Sequence, residues 1–205
     1  MSSEKPAHQR PETPDFWEHR IRSGVTPWDA GSAPQALREF VLNHKTVADH
    51  TPHVLIPGCG SAWDAAFLDS QGWKVIALDF STAAVETARI TLGKGWRGTL
   101  LCADFFTFSP EQRFDILYER AFLCALPRSL WPDYATHVAK LLRPGGLLAG
   151  SFFLSDEPKG PPFGILPQQL EELLTPDFIR RESRAVADSL PVFAGREHWQ
   201  VWERR

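Results

Sequence analysis

The chain has 205 residues, 43% apolar and 23% charged, with a net charge of −3. This fits one soluble domain with a sizeable core, and the absence of any Lys/Arg-rich run removes the electrostatic footprint of a nucleic-acid binder. No apolar run approaches the roughly 18 residues that span a bilayer, and Cys59, Cys102 and Cys124 are too few and scattered for a disulfide framework, so a cytoplasmic location is expected.

Met1 to Pro14 is polar and proline-containing, and is expected to be a disordered N-terminus. Residues 15–205 are expected to form one domain, with 15–50 as an N-terminal lid of helices. Asp15 to Arg22 reads as a short helix with Phe16 and Trp17 as its apolar members. A turn-rich loop follows, Ser23 to Asp29. Pro34 suits the first turn of a helix near Ser32 as cap. Leu37, Phe40, Val41, Val47 and Ala48 give that helix an apolar stripe at helical spacing.

From His53 onward, strands and helices alternate. Strands are predicted at Val54–Ile56, Lys74–Leu78, Thr99–Cys102, Phe114–Tyr118 and Leu147–Leu154. Helices are predicted at Ala62–Ser70, Thr82–Thr91 with Ser81 as cap, Trp131–Leu142 and Gln168–Leu174. Phe178–Val186 and His198–Trp202 read as two final strands with no clear helix between them. Short apolar strands alternating with helices mean an α/β fold, a parallel sheet covered on both faces. The last two strands predict an antiparallel C-terminal hairpin.

The most informative stretch is Val54-Leu55-Ile56-Pro57-Gly58-Cys59-Gly60, a buried strand entering a glycine turn. Asp79 follows Gly60 by 19 residues, at the end of the next apolar run. That spacing is how a doubly wound sheet holds a ribose. A dinucleotide turn also needs a third glycine three residues after the second, and Trp63 stands there. The turn therefore suits a nucleoside ligand without a pyrophosphate, of which S-adenosylmethionine is the common one. An ordinary strand–helix turn is the plain alternative. Asp79 can accept from both ribose hydroxyls, and Phe80 can pack on adenine or in the core. Asp104, after the third strand, can accept the adenine amino group with Phe105 covering the ring.

Glu119 and Arg120 follow the fourth strand, beside the switch point of an open sheet. Arg120 is a permanent cation that could hold the cofactor carboxylate or an anionic acceptor. Glu119 is a candidate base, and a surface ion pair is the competing reading for both. Eight tryptophans is a high count for this length, so some should line a pocket and others the core. Trp17 and Trp28 precede the sheet, and their faces could attract a sulfonium from a lid or simply anchor the segment. The cysteines have no partner pattern of a nucleophile, and the histidines none of a metal site.

Taken together, these residues are similar to the thiopurine S-methyltransferase superfamily, and most of all to its halide/thiol (thiocyanate) methyltransferase branch. Gly24-Val25-Thr26-Pro27-Trp28-Asp29, Leu55-Ile56-Pro57-Gly58-Cys59-Gly60, Phe122-Leu123-Cys124-Ala125-Leu126 and Gly160-Pro161-Pro162-Phe163 carry the likeness in order. It implies a class I, Rossmann-like methyltransferase with a mostly parallel seven-stranded sheet. It also implies S-adenosylmethionine held by Trp17, Trp28, Gly58, Asp79, Asp104 and Phe105, with Arg120 beside the cofactor or the acceptor and S-adenosylhomocysteine as product; Gly60, Phe80 and Arg120 are expected at the cofactor as well. Trp28 and Phe163 are expected to face a small-molecule substrate. Ile21, Arg120 and Phe163 depart from that branch, where a tryptophan and two tyrosines stand.

A soft nucleophile such as a thiol, sulfide, halide or thiocyanate, attacking the methyl group in line, is the expected chemistry. An O- or N-methyltransferase and a non-catalytic binding protein are the alternatives. Trp63 speaks against a nicotinamide enzyme, and the charge pattern against a nucleic-acid methyltransferase. A monomer without membrane or nucleic-acid partners is expected.

Overall fold

The computed structural model describes residues 6–45, 50–193 and 195–205. Val47 and Ala48 of the expected stripe, and the first five residues, lie outside them. The helices are α1 (Pro14–Arg22), α2 (Gln35–Lys45), α3 (Trp63–Ser70), α4 (Thr82–Leu92), α5 (Trp131–Leu141) and α6 (Pro167–Leu174). The strands are β1 (His53–Pro57), β2 (Lys74–Asp79), β3 (Thr99–Cys102), β4 (Phe114–Arg120), β5 (Leu142–Phe153), β6 (Phe178–Ala185) and β7 (Glu197–Arg204).

They form one seven-stranded sheet in the order β3-β2-β1-β4-β5-β7-β6. The first five pair in parallel, and β7 runs antiparallel to both β5 and β6. This is the predicted mostly parallel sheet with its antiparallel hairpin. Among the described residues, no helix is long and apolar enough to cross a membrane.

Successive strand residues point to opposite faces, and the core divides accordingly. Leu55, Leu78, Leu117 and Phe152 pack on one face with Tyr134 and Val138 of α5 and Leu170 and Leu174 of α6. Val54, Ile56, Val75, Ala77, Ile116 and Tyr118 pack on the other with Leu37 and Phe40 of α2 and Leu68 of α3. Trp199 and Trp202 of β7 are fully buried, one on each face.

Local chemistry sets the element ends. Ala62, expected inside α3, instead precedes it in the left-handed region with φ 60°. Ser81 caps α4 as predicted, its Oγ accepting from Ala84 N at 3.2 Å. The start of α2 is held from far away in sequence, because Gln35 N donates to Asp188 Oδ2 at 2.8 Å.

One expectation changes. The gap foreseen around Pro144-Gly145-Gly146 does not exist as a loop, since β5 starts at Leu142, directly after α5. Its partner register jumps between Phe114 and Ile116, so this stretch is a bulge, with Gly145 taking φ 72°. Of the stretch foreseen as disordered, the structure describes Pro6 onward. Ala7–Gln9 forms a 3-10 turn, and Thr13 Oγ1 donates to the Arg10 carbonyl at 2.8 Å.

Gly150 sits between β4 and β7, opposite Glu119 and Gln200. A Cβ built there would lie 1.9 Å from the Glu119 carbonyl oxygen. Gly150→Ala should therefore cost about 2–3 kcal/mol and lower Tm by roughly 5–10 °C in scanning calorimetry. Gly95→Ala, where a Cβ meets nothing within 4 Å, should stay within about 0.5 kcal/mol.

Candidate active site

The carboxyl ends of β1, β2 and β4 open into a cleft of about 230 Å³. It lies where β1 and β4 part, the switch point at which open sheets receive ligands. Trp17, Trp28, Gly58, Gly60, Asp79, Phe80, Asp104, Phe105 and Arg120 all line it. The fold thus brings together residues as far apart in sequence as Trp17 and Arg120.

Asp79 is 8% exposed and ties two turns together. Its Oδ2 accepts from Gly60 N at 3.0 Å and its Oδ1 from Ser81 N at 2.9 Å. Burial pushes its carboxyl up to about 6, while the N–H groups of Ser81 and Gly60 pull the other way and the Glu18 charge adds to the rise. The glycines divide their work. A Cβ on Gly58 would fall 2.4 Å from Phe122 Cδ2, whereas one on Gly60 would meet nothing within 4 Å. Gly58 is required by the ring of Phe122, not by open space for a ligand. Phe122 in turn stands edge-on to Phe105, with centroids 5.1 Å apart.

The N-terminal segment makes the outer wall. Trp17 Nε1 donates to the Pro11 carbonyl at 2.8 Å, and the Trp17 and Trp28 rings meet edge to face at 5.4 Å. Glu18 Oε1 accepts from Ala83 N at 2.8 Å and from Ser81 Oγ at 3.1 Å, placing an anion at the start of α4. Burial opposes that charge, yet these donors and Arg22 hold the carboxyl below its ordinary value. Asp29, next to Trp28, accepts from the Ser61 hydroxyl and so fastens this loop to the glycine turn. Asp104 Oδ1 accepts from Phe106 N at 2.9 Å, which shapes the turn after β3.

Two expected site residues sit elsewhere. Glu119 is 1% exposed and is not among the cleft-lining residues. Alternation along β4 turns it away, and its Oε1 accepts from Phe122 N at 2.8 Å and Leu123 N at 3.0 Å. It secures the tight bend at Ala121, whose φ is 58°. Phe163 packs its ring against the core cluster, and Pro161 and Pro162 line the cleft in its place. Its backbone N–H is committed to the Cys124 carbonyl at 2.7 Å.

Sequence reasoning missed Asp64. It stands in the first turn of α3, lines the cleft, and has its Oδ1 3.5 Å from Arg120 Nη1. Burial raises its carboxyl to about 6 despite the pull of Arg120. Arg120 Nη1 also reaches the Ser32 carbonyl at 3.4 Å. The only signal in the sequence was an acid shortly after the glycine turn, which a helix start explains equally well. Val192 and Phe193, from the loop before β7, complete the wall and carried no signal either.

A five-strand parallel sheet extended by an antiparallel hairpin, with a nucleoside-sized cleft at its switch point, defines a class I methyltransferase. The chain belongs to the thiopurine S-methyltransferase (TPMT) family, whose model matches residues 12–205. It is 34% identical over 164 residues to "Probable thiol methyltransferase 2" of Arabidopsis thaliana, covering 78% of this chain and 71% of that one. It is 32% identical over 179 residues to "Thiopurine S-methyltransferase" of Pseudomonas fluorescens (strain SBW25), covering 78% and 81%. Its fold matches a Burkholderia thailandensis 1,6-didemethyltoxoflavin-N1-methyltransferase, solved with S-adenosylhomocysteine, at TM-score 0.72 and 21% identity, over 93% of this chain and 86% of that one.

Glu119 provides a pH test. Burial raises it from 4.5 to about 7, against the pull of the Leu123 and Phe122 N–H groups. The folded chain therefore keeps a proton that the unfolded chain has released. The resulting stability is full below pH 4.5 and lost as pH rises through 7. Glu119→Gln keeps an acceptor for both N–H groups and carries no charge. Its stability relative to wild type should improve by about 2 kcal/mol between pH 5 and pH 8 in urea unfolding. A gap that stays constant across pH would show that Glu119 titrates as an ordinary carboxylate.

Proposed function

We propose that this chain binds S-adenosylmethionine in the cleft and directs its methyl group to a small thiol or related soft nucleophile, leaving S-adenosylhomocysteine. The observation that carries the reading is the Asp79 carboxylate at the cleft, fixed to the Gly60 turn at 3.0 Å, in a chain of a methyltransferase family.

The residues present fit that cofactor. A buried carboxylate with one backbone bond on each oxygen retains lone pairs for two ribose hydroxyls. Asp104 and Phe105, at the neighbouring strand end, suit an adenine amino group and ring. Phe80 adds a further aromatic wall. Trp17 and Trp28 offer aromatic faces to a cation. When bound, S-adenosylmethionine supplies a methyl group already activated by a positive sulfur.

The protein's part is then alignment and exclusion of water. Trp28, Ile21, Pro161, Pro162, Val192 and Phe193 give the acceptor side an apolar lining. Such walls remove water from a polarisable nucleophile and offer little to a strongly hydrated one. A thiol attacks as its thiolate, with a free pKa of roughly 8.5, so a soft acceptor does not require a base on the wall. The relatives named for thiols, thiocyanate and thiopurines support sulfur as the acceptor atom.

Asp79→Ala should weaken binding of S-adenosylhomocysteine about 100-fold by calorimetry, as expected for losing two charge-assisted hydrogen bonds. Unchanged affinity in a variant that retains its circular dichroism would sink the cofactor assignment. In parallel, wild type with labelled cofactor should methylate thiols and sulfide in preference to alcohols and amines. Equal rates across the panel would remove the soft-nucleophile assignment and leave the cofactor assignment standing.

A further inference from the structure

Arg20 and Arg120 both line the cleft, and they are placed differently. Arg120 has the Asp64 carboxylate 3.5 Å away and the Ser32 carbonyl at 3.4 Å. Arg20 has no such partner: among the described residues its guanidinium makes no ion pair and donates no hydrogen bond. It stacks instead on Phe16 of α1, with the guanidinium carbon 4.7 Å from the ring centre. Phe16 is buried in its turn, so the support under the cation is fixed. Stacking occupies one face of a guanidinium and leaves its N–H edge open to a ligand. The acids nearby are committed elsewhere. Glu12 pairs with Arg10 at 3.3 Å, Asp79 accepts from Gly60 and Ser81, and Asp104 accepts from Phe106.

The cofactor gives no reason for a free cation at this wall. S-adenosylmethionine carries a sulfonium and an ammonium against a single carboxylate, so it is a net cation. Its adenine and ribose offer no anion. A further positive charge beside such a ligand is unfavourable unless a negative one arrives with the other reactant. Arg20 stands where that reactant is expected. Ile21, the next residue of α1, belongs to the apolar lining of the acceptor side, and Trp17, on the same helix, meets Trp28 of that lining edge to face.

The apolar wall and the guanidinium suit two different parts of one molecule. A sulfur nucleophile is polarisable and gains from a dry wall. A guanidinium is a planar fork matched to a carboxylate, which stays charged at neutral pH whatever the state of the thiol. Arg20 is only half-buried, so the charged part stays near the mouth of the cleft. Resting on the soft-nucleophile reading above, we infer that Arg20 selects a thiol that also carries a carboxylate, binding the carboxylate while the sulfur lies against the apolar wall. The transfer itself is unchanged. The thiol loses its proton to solvent, the sulfur–methyl bond forms as the methyl–sulfonium bond breaks, and S-adenosylhomocysteine leaves. Arg20 thus determines specificity and takes no part in the bond changes.

The test is steady-state kinetics of the full chain with S-adenosylmethionine and either β-mercaptopropionate or its amide, with concentrations expressed as thiolate to remove the difference in thiol acidity. Wild type should show a KM about 10-fold lower for the carboxylate than for the amide, with similar kcat. Arg20→Gln should erase that preference by raising the carboxylate's KM about 10-fold, with the amide's KM and the affinity for S-adenosylhomocysteine held within about twofold. Arg20→Lys, which keeps the charge without the fork, should retain part of the preference. An equal or reversed wild-type KM for the two thiols would overturn the proposal and needs no variant to fold. A preference that survives in Arg20→Gln, or a loss shared equally by both thiols, would also overturn it. Binding of S-adenosylhomocysteine without methylation of either thiol would remove the soft-nucleophile reading and this proposal together, leaving the cofactor reading in place.

Discussion

The Asp79 carboxylate joins Gly60 N–H to Ser81 N–H, and much of the site hangs on that bridge. It reinforces the bond from Cys59 N–H to the Leu78 carbonyl at 3.0 Å, which also ties the turn after β1 to the end of β2. Through the bridge the turns after β1 and β2 share one anchor, and the start of α4 is set relative to the glycine turn. Glu18 then adds a second anion to the same helix start and draws α1 against it. This electrostatic contact and the burial of Phe16 both position the N-terminal segment. Helix starts favour anions because their first N–H groups have no partner within the helix.

A second set of contacts holds the inner wall. Glu119 fixes the bend at Ala121, the bend presents Phe122, and Phe122 fills the space that a side chain on Gly58 would take. Phe105 leans on Phe122 from the third strand end. A carboxylate outside the cleft therefore shapes the cleft through a ring. The polar and aromatic parts are coupled, because the bend that aims the ring has two backbone N–H groups held by Glu119.

Asp64, Asp79 and Glu119 all carry raised carboxyls, each with burial as the leading cause. Burying charge opposes folding, so the chain maintains three acids where apolar residues would serve stability better. Asp64 and Asp79 face the cleft, where a ligand's donors and cations can compensate them. Glu119 is compensated internally, by backbone donors alone. This difference separates acids that line the cleft from one that only shapes its wall.

The sequence by itself determined the sheet, its parallel part and its C-terminal hairpin, because alternating burial and glycine stops are local signals. It also determined the Gly60–Asp79 side of the cleft, since these two sit at a spacing fixed by one strand–helix–strand unit. Tertiary structure alone decided the opposite side. Glu119 and Arg120 are neighbours in sequence, yet strand alternation sends one into the core and the other to the cleft. Phe163 gave way to Pro161 and Pro162 for the same kind of reason, since which residue of a loop faces inward depends on what the loop packs against. Asp64 went unremarked in the sequence, and only the fold brings Arg120, far along the chain, within 3.5 Å of it. Contacts between distant segments leave no periodic trace, so only the folded chain could show them.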